Sequence, residues 1–238
     1  VDSVNKLWLG EKINSVEFDF SILNKLPWRL TTDFKFLTML QHLDQVSVPI
    51  TKYVEIFNGI QTSAERPVPI YWFSTNEIIK ENDVTVEICR NEKHYQIERK
   101  ILRPYFKPTK KIEKGLNTYS ILTTDKQIIF PYDQQGQLFD IEYMKTYFPG
   151  TFAYLEDCYD RLVPKCVSNK GVRDVPHANA NTWYQYGRTQ ALTSFINTPK
   201  LIVGILSKEP MYILDTNDIL IASGGTAGYC AVSKKKNS

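Results

Sequence analysis

The sequence predicts an α+β fold, an irregular mixed β-sheet assembly with a few helices. Three observations carry this. Short runs of β-branched and aromatic residues, bounded by turn residues, fill the middle and the last third of the chain. Helical periodicity is confined to a stretch near residue 40 and another between 141 and 162. No internal repeat and no linker rich in Gly or Ser divides the chain.

Taken in order, residues 31–43 read as a helix. Thr31, Thr32 or Asp33 can cap it, and Phe34, Leu37 and Leu40 share a face, with Gln41 beside them. Pro49 closes this opening segment, and residues 46–57 read as a strand region entering a turn at Asn58-Gly59. Strands follow at 70–73, 84–88, 95–98, 119–122 and 127–130, and Arg90-Asn91-Glu92-Lys93 joins two of them as a hairpin. Residues 141–148 form a short helix broken at Pro149-Gly150. A second helix covers 151–162, with Tyr154, Leu155, Cys158, Tyr159 and Leu162 on its apolar face and Pro164 stopping it. A polar loop follows to residue 181, and strands return at 200–206, 211–214, 219–222 and 229–232.

With 238 residues, 42% of them hydrophobic and 23% charged, the chain has the composition of a soluble globular protein with a real core. The longest apolar run, Leu201-Ile202-Val203-Gly204-Ile205-Leu206, is a buried-strand pattern, far short of a membrane span. No membrane partner is expected. A start at Val1 with no apolar leader reads as an excised or processed piece of a longer protein. Cys89, Cys158, Cys166 and Cys230 form no CxxC pair, and His42, His94 and His177 lie far apart. The spacing gives no metal site and implies reduced thiols in a cytoplasmic protein. Cys158 and Cys166 are near enough in sequence to face each other at a helix end.

Net charge is only +3, but its distribution is uneven. Residues 90–114 hold Arg90, Lys93, Arg99, Lys100, Arg103, Lys107, Lys110, Lys111 and Lys114 against three glutamates. Residues 165–208 hold Lys165, Lys170, Arg173, Arg188, Lys200 and Lys208 against Asp174 alone. The stretch between is acidic. Two basic segments flanking an acidic one point to a polyanion-binding face; a solvated basic surface has the same composition.

Motifs for catalysis are missing. The sequence holds no GxxxxGK[ST], GxGxxG, GxSxG or HExxH pattern. Ser223-Gly224-Gly225-Thr226-Ala227-Gly228-Tyr229 is Gly-rich but has no following Lys, and fits a tight turn or bulge. Glu156 and Asp157 are adjacent on a helix and point to different faces. This chain is therefore expected to have no catalytic residues and no cofactor of its own. A small enzyme or nuclease built on Asp133, Asp140 and Glu142 is the alternative of a different class, and a protein-interaction module is a third.

Several motifs stand in a fixed order: Asn58-Gly59-Ile60-Gln61-Thr62-Ser63, the strand at 70–73, Ile101-Leu102-Arg103-Pro104-Tyr105-Phe106, and Ile128-Ile129-Phe130-Pro131-Tyr132. Then come Tyr147-Phe148-Pro149, Trp183-Tyr184-Gln185-Tyr186-Gly187-Arg188-Thr189-Gln190, Pro199-Lys200-Leu201-Ile202 and the Gly-rich run at 223–229. The set, over residues 46–232, resembles the TaqI-like C-terminal specificity domain of adenine-specific DNA methyltransferases and type IIG restriction-modification enzymes. The resemblance implies a target-recognition domain that clamps double-stranded DNA. A methyltransferase domain earlier in the same polypeptide would flip out and methylate an adenine with S-adenosylmethionine, because a target base must leave the stack to react. Residues 1–48 would connect to that domain and 49–238 would read DNA. A half of a type I specificity subunit also binds DNA, but usually shows repeated halves joined by long helices.

Base reading falls to the loop at 169–181, through Arg173, His177, Asn179 and Asn181, whose donors and acceptors fit guanine and adenine edges. Phosphate contacts fall to Lys107, Lys110, Lys111, Lys170, Arg188, Gln190 and Lys200, with Arg188 placed at the start of a helix. An unassigned surface loop and solvated lysines are the plain alternatives. Trp183, Tyr184 and Tyr186 fit either stacking on an extruded base or alternation between the core and the surface of a strand.

Overall fold

A computed structural model describes residues 8–10, 33–107, 124–189, 192–193, 198–204, 212–223 and 229–234. The chain divides into two compact units, Val1–Lys52 and Tyr53–Ser238; the sequence places that division between 48 and 49. In the first unit, helix α1 covers Phe34–Val46. Asp33 starts it, its carboxylate accepting the Phe36 N–H at 3.1 Å. The expected helix begins three residues too early because either threonine suits the cap equally well.

Among its described residues, the second unit carries three small sheets and three helices, the mixed α+β assembly that the sequence predicts. The strands are β1 (Val54–Asn58), β2 (Trp72–Ser74), β3 (Ile78–Glu81), β4 (Thr85–Arg90), β5 (Lys93–Glu98), β6 (Leu102–Phe106), β7 (Lys126–Ile129), β8 (Lys200–Gly204), β9 (Tyr212–Asp215), β10 (Leu220–Ile221) and β11 (Tyr229–Lys234). One sheet has the order β1-β11-β8-β9, the second β10-β6-β7-β2 and the third β3-β4-β5. The hairpin of β4 and β5 turns on Asn91 and Glu92, both at positive φ, the twist that a two-residue hairpin turn requires. The expected strand at 119–122 lies outside the described residues.

Helices α2 (Ile141–Tyr147), α3 (Pro149–Asp157) and α4 (Tyr159–Leu162) follow. Pro149 does more than break a helix. Its fixed φ suits the first helical position, so α3 begins there, and the expected helix at 151–162 is two helices meeting at Cys158. Glu98, at the end of β5, caps α3: its carboxylate accepts the N–H groups of Gly150 at 2.8 Å and Thr151 at 2.9 Å. A Cβ on Gly150 would stand 2.1 Å from the Gln96 carbonyl oxygen, so only glycine lets the helix approach the strand this closely.

The core is unusually rich in tyrosine, and each buried hydroxyl needs a partner. Tyr71 donates to the Tyr184 carbonyl at 2.6 Å and Tyr154 to the Ile70 carbonyl at 2.8 Å. Tyr184 and Tyr186 donate to the carbonyls of Phe139 and Ile129, and the Tyr132 hydroxyl accepts the Tyr186 N–H at 2.6 Å. These bonds sew residues 183–186 into the middle of the unit. Trp183, Tyr184 and Tyr186 are all buried in a run of turns, so neither base stacking nor strand alternation describes them.

Candidate nucleic-acid interface

The segment from Val163 to Thr189 is irregular but tightly held. Arg173 lies beneath it, 4% exposed. Its Nη1 donates to the carbonyls of Thr62 at 3.1 Å and Gln185 at 3.0 Å, its Nη2 to Trp183 at 2.6 Å, and its Nε to Leu162. A guanidinium offers five N–H donors in a rigid fork, and four carbonyls take up this one from different directions. The assignment of Arg173 to a base edge is thereby corrected: the side chain points inward and fixes the loop's floor. Gly171 has the same function on a smaller scale, since a Cβ there would meet the Pro164 carbonyl oxygen at 2.2 Å.

The other expected readers stand on the rim. His177 is exposed and holds a positive φ of 60°. Asn179 and Asn181 are exposed, but the Asn179 Oδ1 accepts the Asn181 N–H at 2.8 Å and its backbone N–H goes to Thr182 Oγ1 at 2.9 Å. Asn179 therefore shapes the turn, as short amide side chains do. His177 and Asn181 are left as the outward polar groups of this turn, with Lys170 exposed nearby in sequence.

The expected phosphate contacts divide. Lys200 is fully buried and ion-paired with Asp215 across the β8–β9 register, and Asp215 also accepts the N–H groups of Asn217 at 2.9 Å and Ile219 at 3.0 Å. A charge so enclosed is a structural pin, which corrects its assignment to phosphate. Arg188 does not open a helix. It forms a bridge with Gln61, and its guanidinium reaches the Asp174 carbonyl at 3.2 Å and carboxylate at 3.4 Å. Lys110, Lys111 and Gln190 lie outside the described residues.

Lys107 belongs to a cluster that the sequence reading missed. Glu65 accepts from Thr62 Oγ1 at 2.5 Å, from Trp72 Nε1 at 2.8 Å and from the Lys107 ammonium, which also sits 5.2 Å from the centroid of the Trp72 ring. Burial raises the Glu65 carboxyl pKa, but the hydrogen bonds from Lys107, Thr62 and Trp72 outweigh it and hold the group below its ordinary value. The only sequence signal was the presence of an acid and a tryptophan near a basic segment, with nothing to pair them.

The acids of the alternative enzyme reading each cap or pair locally. Asp133 accepts the N–H groups of Gln135 and Gln137 at 2.9 and 2.8 Å, Asp140 caps α2 through the Tyr143 N–H at 2.7 Å, and Glu142 pairs with Lys145 at 3.5 Å. Among the described residues no three of His, Cys, Asp and Glu gather in a way that could hold a metal ion. Cys158 and Cys166 are both free thiols. Burial pushes that of Cys158 up, and Cys166 faces the carbonyls of Val175 and Ala178 at 3.4 Å.

Over 185 residues the chain is 31% identical to the type II restriction enzyme and methyltransferase RM.Eco57I of Escherichia coli. The match covers 76% of this chain and 18% of that protein. No protein-family model matches the chain. A match to 76% of the chain cannot be held by the first unit, Val1–Lys52, so the likeness extends across much of the second unit. No helix among the described residues is long and apolar enough to cross a membrane.

Proposed function

We propose that this chain is the DNA target-recognition part of a restriction-modification protein, reading duplex sequence while a separate domain of the same polypeptide transfers a methyl group from S-adenosylmethionine. The observation that carries the reading is the likeness to 18% of a combined restriction enzyme and methyltransferase, a share of the size expected for one domain among several. The loop at 163–189 supports it. A rigid floor anchored by Arg173 holds His177 and Asn181 outward, and base reading favours polar side chains on a preorganised support. Duplex DNA is the partner, and methyl-transfer chemistry is assigned to no residue here.

Fluorescence anisotropy with a labelled duplex tests the binding half of this reading. The chain alone is expected to bind with a Kd in the non-specific range of roughly 10⁻⁴ to 10⁻⁶ M, weakening steeply as salt rises. Anisotropy that stays flat at low salt up to high micromolar protein refutes it.

A further inference from the structure

We propose that the cleft at the start of β6 and β7 grips one backbone phosphate of duplex DNA, with Arg103 as the cation that meets it. The proposal rests on the target-recognition reading and adds to it a place where the backbone sits.

The cleft has a volume of about 290 Å³ and is lined by Arg99, Arg103 and Lys126 together with Thr75, Thr124 and Gln127. Two aliphatic residues complete the wall; among the described residues, neither a carboxylate nor an aromatic ring lines it. That chemistry favours an anion over a base, since no aromatic ring among the described residues is there to stack on one. It suits an anion, with cations for the charge and hydroxyl and amide groups for the remaining oxygens.

The charges are not equivalent. Arg99 is held from outside the wall by the Asn82 carbonyl and the Glu81 carboxylate, and Lys126 by Asp125 at 2.8 Å. Arg103 is exposed, and among the described residues its guanidinium has no ion-pair or hydrogen-bond partner. Three cations against two carboxylates leave one positive charge uncompensated, and Arg103 is the one that presents it. Its backbone is fixed by pairing with Ile128 in β7. The side chain therefore starts from a rigid strand, and its planar fork matches two phosphate oxygens at once.

The test uses Arg103→Gln, with Lys80→Gln as a control that removes an exposed charge on β3 from a residue that does not line the cleft. Both substitutions are at the surface, and thermal melting confirms that each variant is folded. Duplex affinity is measured by anisotropy over a series of salt concentrations. Arg103→Gln is expected to reduce the slope of log K against log salt by roughly 0.9, the share of one phosphate contact, and to weaken binding at low salt. Lys80→Gln is expected to leave the slope unchanged. If the wild-type chain binds duplex and Arg103→Gln keeps its slope, the cleft proposal is overturned and the target-recognition reading stands. Equal loss in both variants overturns it as well, since any surface charge would then serve. If the wild-type chain does not bind duplex, both fail together. Calorimetry with inorganic phosphate alone separates a free anion from a DNA backbone. Saturable phosphate binding abolished by Arg103→Gln, with duplex binding intact, would reassign the cleft to a free oxyanion and overturn the proposal.

Discussion

Between residues 90 and 114 the described cations stay at or near the surface: Arg90 pairs with Glu77, Lys93 with Asp157, Arg99 with Glu81 and Lys107 with Glu65, while Arg103 stands in a cleft. Between residues 165 and 208 the two most enclosed cations go inside: Arg173 is 4% exposed beneath a loop and Lys200 1% exposed within a sheet. In sequence the second segment is the less diluted by acid and looks the better match for a polyanion. In the folded chain its two most enclosed cations are pins while Lys165 and Lys170 stay exposed, and the first segment sets the unpaired Arg103 in a cleft. Linear charge density thus measures how many cations a segment has, whereas binding depends on how many remain uncompensated at the surface.

The comparison breaks first at Lys200. Replacing it with alanine would leave Asp215 ionised, buried and missing its ammonium, and should cost about 3–5 kcal/mol of stability in urea or thermal denaturation. Lys200→Met combined with Asp215→Asn should recover part of that loss, because no buried charge is left and the amide oxygen can still accept from one of the Asn217 and Ile219 N–H groups. A single Lys200→Ala change within about 0.5 kcal/mol of wild type would mean that the residue behaves as a surface lysine.

Arg173 gives the next largest effect. Arg173→Ala would take a donor from each of four carbonyls and unfasten the loop, and should destabilise the chain by on the order of 3 kcal/mol. DNA binding should fall for every duplex alike, because the platform is lost before any single contact. Arg173→Lys should rescue little, since one ammonium cannot reach four carbonyls that diverge. Unchanged melting together with a relaxed preference at one base pair would place Arg173 at the DNA after all, and would reverse the contrast between the two segments.

What was legible in the sequence was what is local. The hairpin of β4 and β5 is set by alternation over a dozen residues and by a turn whose residues tolerate positive φ. The extent of α2 and its break at Pro149 depend on a few neighbouring residues, whereas the cap of α1 was one of three candidates and α3 starts two residues before its expected place. Arg173 was misread because its partners include the Thr62 carbonyl, 111 residues away, and nothing near Arg173 distinguishes an arginine facing inward from one facing out. Lys200 was misread because its partner lies on the next strand of the sheet, and a register is invisible until the strands are paired. Trp183, Tyr184 and Tyr186 were misread because a run of turns can sink into a core when hydroxyl–carbonyl bonds satisfy its polar groups.

The claim that this chain reads sequence, and does more than hold DNA, is tested most directly by selection from a pool of randomised duplexes with the chain as bait. The bound fraction is sequenced over successive rounds at moderate salt, where non-specific contacts are weakened. The account predicts convergence on one short motif, with a preference at individual positions that Asn181→Ala or His177→Ala relaxes without changing the rest. Duplexes that bind round after round while their sequences stay random would contradict it, and would leave the chain a clamp on the DNA backbone alone.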